Sequence, residues 1–143
     1  MARYWIGGGG DWNDTAHWSA SSGGIGGETV PSSLDEVHID PLSGAGTLTV
    51  NENIEVDRLL FEDQEVLFDC NSHNVSALSE VRIASSVASV NFGSGICTTP
   101  LFKVWGGGLG PSIINCETST VVINSLGAGW LQFGQNINFY KVQ

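Results

Sequence analysis

The sequence predicts an all-β protein, and three observations carry that expectation. Nineteen glycines without a Gly-X-Y period, mixed with many Ser, Thr and Asn, specify tight turns between short elements. Apolar or alternating runs of mostly three to five residues recur along the chain, separated by Gly, Asn, Ser or Asp. From Leu59 onward similar runs return: those beginning at Val81, Phe102 and Val121 lie 21 and then 19 residues apart, and those beginning at Val90, Ile113 and Leu131 lie 23 and then 18 apart. Several short strands per repeat of that length are the pattern of a right-handed parallel β-solenoid, each turn stacking on the last, here with an N-terminal Trp/Gly-rich cap. A β-sandwich or jelly roll, which also has regular short strands and turn signals, is the alternative.

The strands are expected at Tyr4–Ile6, Val37–Ile39, Leu48–Val50, Leu59–Phe61, Val66–Phe68, Val75–Leu78, Val81–Ile83, Val90–Phe92, Phe102–Trp105, Ile113–Ile114, Val121–Ile123, Leu131–Phe133 and Ile137–Tyr140. The best helix candidate runs from Ser76 to Ala88, but Val81, Ile83 and Val87 with serines between them read better as strand. Cys97 and Cys116, 19 residues apart, would occupy equivalent points of successive turns in a stacked interior. At 143 residues one core is expected, so residues 1–143 form a single domain: a Trp/Gly-rich cap over 1–46 and a repeating β body over 47–143. The cap would cover the strand edges of the first turn, which are otherwise open to unwanted pairing.

Charge narrows the partners. The formal net charge is −10; residues 1–80 hold fourteen acids against Arg3 and Arg58, whereas Arg82, Lys103 and Lys141 outnumber Glu117 in the remainder. Such a field repels phosphate backbones and anionic lipid, so nucleic acid and membrane surfaces are poor partners, and a basic protein surface or a cation is a better one. The near-neutral C-terminal part could also meet the acidic part of a second copy. The N-terminus lacks the apolar stretch of a signal peptide and no run approaches the length of a membrane span, so a cytosolically made protein is expected. Cys70, Cys97 and Cys116 have no C-x-x-C spacing and read as buried thiols rather than a disulfide framework or a zinc site.

The most distinctive stretch is Tyr4-Trp5-Ile6-Gly7-Gly8-Gly9-Gly10-Asp11-Trp12-Asn13-Asp14-Thr15-Ala16-His17-Trp18-Ser19, followed by Ser21-Ser22-Gly23-Gly24 and by Pro31-Ser32-Ser33-Leu34-Asp35-Glu36-Val37-His38-Ile39-Asp40. It resembles a segment of phage virion structural proteins and of large bacterial surface proteins, in which Trp, a Gly run, Trp, a polar turn and Trp-Ser precede Pro, Asp-x-Val and a β-solenoid. The resemblance covers residues 4–40 and implies an assembly, attachment or surface role rather than one activity. A short acidic module of this kind suits a non-enzymatic capsid decoration (cement) protein in the virion, contacting a major capsid or tail protein and self-associating, with a homotrimer suited to capsid three-fold positions. A tail-fibre or carbohydrate/receptor-binding module is the alternative, and a glycan-cleaving enzyme the third reading.

The residues themselves name few sites. Trp5, Trp12 and Trp18 could stack on sugar rings, with Asp11 and Asp14 bonding hydroxyls, or could form the small core of the cap. Asp11, Asn13 and Asp14 resemble part of a Ca²⁺ loop, but the Gly and distal Glu of an EF-hand are absent, so neither metal nor cofactor is assigned. Gly7–Gly10 lacks the Lys-Ser/Thr and helix of a phosphate cradle. Asp35, Asp40, Glu62, Asp63 and Glu65 supply carboxylates of the kind a glycosidase pairs, and a solvated acidic face is the reading preferred for them. His17, His38 and His73 have no metal-ligand spacing, no G-x-S-x-G elbow is present, and no catalytic residue is assigned.

Overall fold

A computed structural model describes residues 1–62, 65–83, 89–104, 113–115, 120–123 and 131–133. Among them strands predominate and the helices are short 3-10 turns at Thr15–His17 and Pro41–Ser43. The strands are β1 (Ala2–Trp5), β2 (Gly10–Asp11), β3 (Trp18–Ser19), β4 (Glu36–Ile39), β5 (Ala45–Thr49), β6 (Ile54–Phe61), β7 (Glu65–Asp69), β8 (Val75–Ile83), β9 (Ser89–Asn91), β10 (Ile96–Thr99), β11 (Phe102–Val104), β12 (Ile113–Asn115), β13 (Thr120–Ile123) and β14 (Leu131–Phe133).

They form two sheets. One has nine strands and runs β13-β10-β8-β6-β4-β1-β3, with β11 joining β8 to β14; the other has five and runs β12-β9-β7-β5-β2. The chain alternates between them, from β4 to β5, β6, β7, β8 and β9, and each strand pairs in parallel with the one preceding it in its own sheet. Among the described residues only β3 is antiparallel, lying on β1 with Tyr4 opposite Ser19 and Trp5 opposite Trp18. Both sheets reach back to the first residues, since β1 pairs with β4 and β2 with β5.

The register places like with like. Val37, Leu59, Val81 and Phe102 form one column, Ile39, Phe61 and Ile83 a second, Leu48, Phe68 and Val90 a third, and all are buried. Alternation of side chains along each strand sends these inward and leaves polar neighbours outward, as a sheet with one dry face requires. Corners repeat as well. Asp69 Oδ1 accepts from the N–H of Asn71 at 3.0 Å, and Asn91 Oδ1 accepts from that of Gly93 at 3.0 Å, while the Asn91 amide donates to Asp69 across the register at 3.2 Å. Such Asx turns satisfy backbone donors where the ladder stops. Asn71, Ser72 and Gly93 have positive φ there.

β6 and β8 are long because each spans two stations. Between Val56↔Ala77 and Arg58↔Glu80 the register shifts by one residue, a bulge on β8. The Asp35 carbonyl picks up the N–H groups of Asp57 at 2.9 Å and Arg58 at 3.4 Å beside it. Beyond β8 the same path is covered by two strands, β10 against its start and β11 against its end, interrupted at Pro100, which has no N–H to give.

Several expectations change. Val75–Leu78 and Val81–Ile83 are one continuous strand, and Gly10–Asp11, Trp18–Ser19, Ile54–Val56 and Ile96–Thr99 are strand segments that the apolar runs did not mark. Val121 aligns with Cys97 rather than with Phe102, whose partner is Leu131; Leu131 thus lies in the nine-stranded sheet and not in line with Ile113. The residue in register with Cys97 is Val121, 24 residues on, and the expected equivalence of Cys97 with Cys116 falls on a residue outside the described ones. Isolated apolar tripeptides look alike, and spacing alone does not say which station of a turn each occupies. Cys116, Trp105, Trp130 and the run Ile137–Tyr140 lie outside the described residues.

Candidate functional site

The Trp residues come together, and they do so inside. Trp5, Trp12 and Trp18 are 0%, 1% and 0% exposed. Trp18 meets Trp5 edge-on at 5.1 Å between ring centroids and Trp12 at 4.7 Å, and Trp12 continues to Phe68 at 6.3 Å and Phe68 to Phe61 at 5.1 Å. The buried indole N–H groups of Trp5 and Trp18 are satisfied: Trp5 Nε1 donates to the Gly8 carbonyl at 2.6 Å and Trp18 Nε1 to that of Trp12 at 2.7 Å. Indoles enclosed in this way present no face on which a sugar ring could lie.

The glycine run makes that enclosure. Gly8, at φ +78°, sits so close to the start of β5 that a Cβ would collide with the Ala45 carbonyl. Its N–H donates to Ser43 at 2.7 Å. At Gly10 a Cβ would strike the ring of His17, which stacks on Trp5 at 4.6 Å with its plane tilted by 12°. His17 Nδ1 donates to the Ile6 carbonyl at 2.7 Å, so its ring covers the turn from one strand to the next.

Asp11 and Asp14 flank this cluster and are exposed. Asp14 caps the first 3-10 turn, its Oδ1 accepting from the Ala16 N–H at 2.9 Å, and its Oδ2 lies 3.9 Å from His17 Nε2. Asn13 turns away to accept from the Asn51 amide at 2.8 Å. Among the described residues no three His, Cys, Asp or Glu side chains converge as metal ligands would.

The other carboxylates are dispersed and employed. Asp35 is buried; its Oδ2 accepts from the Ser32 N–H at 2.9 Å and hydroxyl at 2.8 Å, and its Oδ1 has the N-terminal ammonium at 3.2 Å. Burial alone would raise its pKa, but the Ser32 hydrogen bonds and the ammonium charge outweigh that and hold it below the ordinary value. Asp40 caps the second 3-10 turn in a reciprocal box with Ser43, accepting from the Leu42 N–H at 2.9 Å. Glu65 is exposed at the start of β7, and Asp63 lies outside the described residues.

Glu62 belongs to an array that sequence reasoning missed. On the outer face of the nine-stranded sheet Arg58 pairs with Glu36 at 3.2 Å, Glu36 with His38 Nε2 at 2.8 Å, His38 Nδ1 with Glu62 at 3.3 Å and Glu62 with Arg82 at 3.0 Å. Tyr4 stacks on His38 at 4.6 Å. A neutral imidazole can donate to one of these carboxylates, an imidazolium to both. Glu80 and Lys103 add a further pair at 3.2 Å. The signal was present as the columns Glu36, Arg58, Glu80 and His38, Leu60, Arg82, Lys103, legible only once the register is known. With Arg3 against Glu28 at 3.7 Å, each Lys and Arg side chain among the described residues faces a carboxylate, so the uncompensated charge of the surface is acidic.

Large apolar side chains also point outward near the start of the chain, with Ile25, Leu34, Met1 and Leu42 at 91%, 81%, 79% and 62% exposure. Among the described residues no helix is long and apolar enough to cross a membrane. No protein-family description, curated protein or solved structure matches the chain.

Proposed function

We propose that the chain is a right-handed parallel β-solenoid with a Trp/Gly-rich cap, and that it serves as a non-enzymatic structural protein of a phage virion, a capsid decoration module acting through protein–protein contacts. The observation that carries this reading is the parallel stack whose first strand is closed by the segment on which the resemblance to virion and surface β-solenoids rests. Parallel pairing at each step supports a coil over a sandwich or jelly roll, whose strands are antiparallel. The right hand follows from the strong preference of parallel crossovers. A stack held by columns of buried side chains is stiff, a property useful to a part that reinforces a shell. The outward Ile25, Leu34 and Leu42 supply apolar contact area, and the uncompensated acidic surface favours a basic region of a major capsid protein.

The test is association. Size-exclusion chromatography with light scattering is expected to give a discrete oligomer, a trimer in this reading, and the protein is expected to co-purify with particles and to add density above the shell in their images. A strict monomer that is absent from particles refutes the proposal.

A further inference from the structure

His17 has a second ring nitrogen that the packing does not use. Its Nδ1 lies 2.7 Å from the Ile6 carbonyl, which can only accept, so Nδ1 carries the proton of the neutral ring and Nε2 keeps its lone pair. Stacking on Trp5 and the close approach of Gly7 and Gly10 fix the ring's orientation. The side chain is nevertheless not sealed, with 20% of its surface exposed.

Asp14 is divided in the same way. Its Oδ1 accepts from the Ala16 N–H at 2.9 Å, and its Oδ2 lies 3.9 Å from His17 Nε2. That separation is about 1 Å too long for a good hydrogen bond. It suits two atoms that share an ion, since ligands each about 2.0–2.2 Å from one metal can stand up to about 4 Å apart. Both ligands are oriented from behind, the imidazole by a backbone carbonyl and the carboxylate by a backbone N–H, as metal ligands are. Arg3, Arg58, Arg82 and Lys103 face Glu28, Glu36, Glu62 and Glu80, so none of them takes the place of a cation here. Asp11, whose carbonyl accepts from the Asp14 N–H, adds an exposed negative charge to the same turn.

We propose that His17 Nε2 and Asp14 Oδ2 form a two-point surface site for a divalent transition ion of the Zn²⁺ class, with water in the remaining positions. The nitrogen sets the class: imidazole suits Zn²⁺, Ni²⁺ and Cu²⁺, whereas Ca²⁺ and Mg²⁺ take shells of oxygen. The site is not the loop of Asp11, Asn13 and Asp14, because Asn13 turns away to Asn51. Since His17 also stacks on Trp5, an ion held here fastens the Asp14–His17 turn to β1 and stabilises the folded chain by mass action. The inference stands on this turn and does not need the virion reading.

The test is a Zn²⁺ titration of the full chain after chelator treatment, at about pH 7.5 because the ligands must be free of protons. Calorimetry is expected to show one saturable ion per chain, and Tm is expected to rise with Zn²⁺. In spectra of the imidazole nitrogens, Nε2 of His17 is expected to be the one that shifts. Asp14→Ser keeps a capping oxygen but removes the second ligand, and His17→Gln removes the first; both are expected to lose the Zn²⁺-dependent rise in Tm. A variant carrying His38→Gln and His73→Gln is expected to keep it, and Mg²⁺ at the same concentration is expected to produce none. Absence of saturation below about 1 mM Zn²⁺ overturns the proposal. So does binding that survives Asp14→Ser, a shift at His38 or His73 in place of His17, or an equal response to Mg²⁺. Should His17→Gln fail to fold, the parent's ring-nitrogen shifts and the Asp14→Ser titration decide between the same outcomes.

Discussion

Replacing Phe68 with Ala tests whether the two sheets share one interior. Phe68 projects from the five-stranded sheet, is 0% exposed, and meets Phe61 of the nine-stranded sheet edge-to-face at 5.1 Å and Trp12 at 6.3 Å. Truncating a buried Phe to Ala costs about 3–5 kcal/mol, with the upper part of the range applying where neighbours cannot collapse into the space. Here they cannot do so easily: Leu48 and Val90 above and below Phe68 are fixed by the ladder, and Phe61 and Trp12 belong to strands and turns with their own pairing. A loss of about 4–5 kcal/mol is therefore expected, a large share of the roughly 5–15 kcal/mol that stabilises a domain. Urea unfolding followed by circular dichroism measures it, provided that the slope against denaturant is unchanged. A double-mutant cycle with Phe61→Leu and Phe68→Leu isolates the ring pair, for which about 0.5–1.5 kcal/mol of coupling is expected. A loss for Phe68→Ala below about 1.5 kcal/mol, with no measurable coupling, refutes a shared interior.

Gly8→Ala is expected to destabilise by at least the roughly 1–3 kcal/mol of a strained backbone, because φ +78° and the Ala45 carbonyl both oppose the added methyl; Gly27→Ala, at φ +114° with open space around it, meets only the backbone term and is expected to cost less in the same unfolding assay. The Asp35 carboxyl is held below its ordinary value of 3.8, so its contribution is fully present above that pH and is lost as the pH falls through the lower folded value. Parent and Asp35→Asn stabilities are therefore expected to converge below that value and to differ above it, as acid titration followed by circular dichroism would show. Arg82→Met breaks the pair with Glu62 on a partly exposed face, and a change of only about 0.2–1 kcal/mol is expected, shrinking with added salt.

The strand content was legible because inward positions are occupied by Val, Leu, Ile and Phe at short, turn-bounded intervals, and because the glycines fall where the backbone must bend. Residues whose role depends on register were not. Cys97 was aligned with Cys116 by spacing, whereas the ladder sets it against Val121, since turns of unequal length displace later residues. The charged array from Arg58 to Arg82 was hidden for the same reason: apart from Glu36 and His38, two residues apart on β4, its pairs join residues 20 to 24 apart, and neither composition nor local pattern links them. For the Trp residues, sequence named two roles for one set of side chains, and only the packing of Trp5, Trp12 and Trp18 against one another distinguishes an enclosed indole from an open one. Asp35 and Asp40 stood among the candidate carboxylates because a buried turn staple and a solvent-facing acid have the same letters.

The repeated corner has a consequence for how such a chain changes size. Asp69 and Asn91 open equivalent turns and are joined side chain to side chain, and Val50, Cys70 and Phe92 follow one another inward at the next position. Cutting the chain after one such corner and rejoining it after the next would remove a complete layer and still bring matching columns together. Losing a single residue would instead turn every later side chain on that strand to the wrong face. Where the chain alternates between the two sheets from β4 to β9, its length is therefore quantised, with one strand of each sheet as the unit of gain or loss.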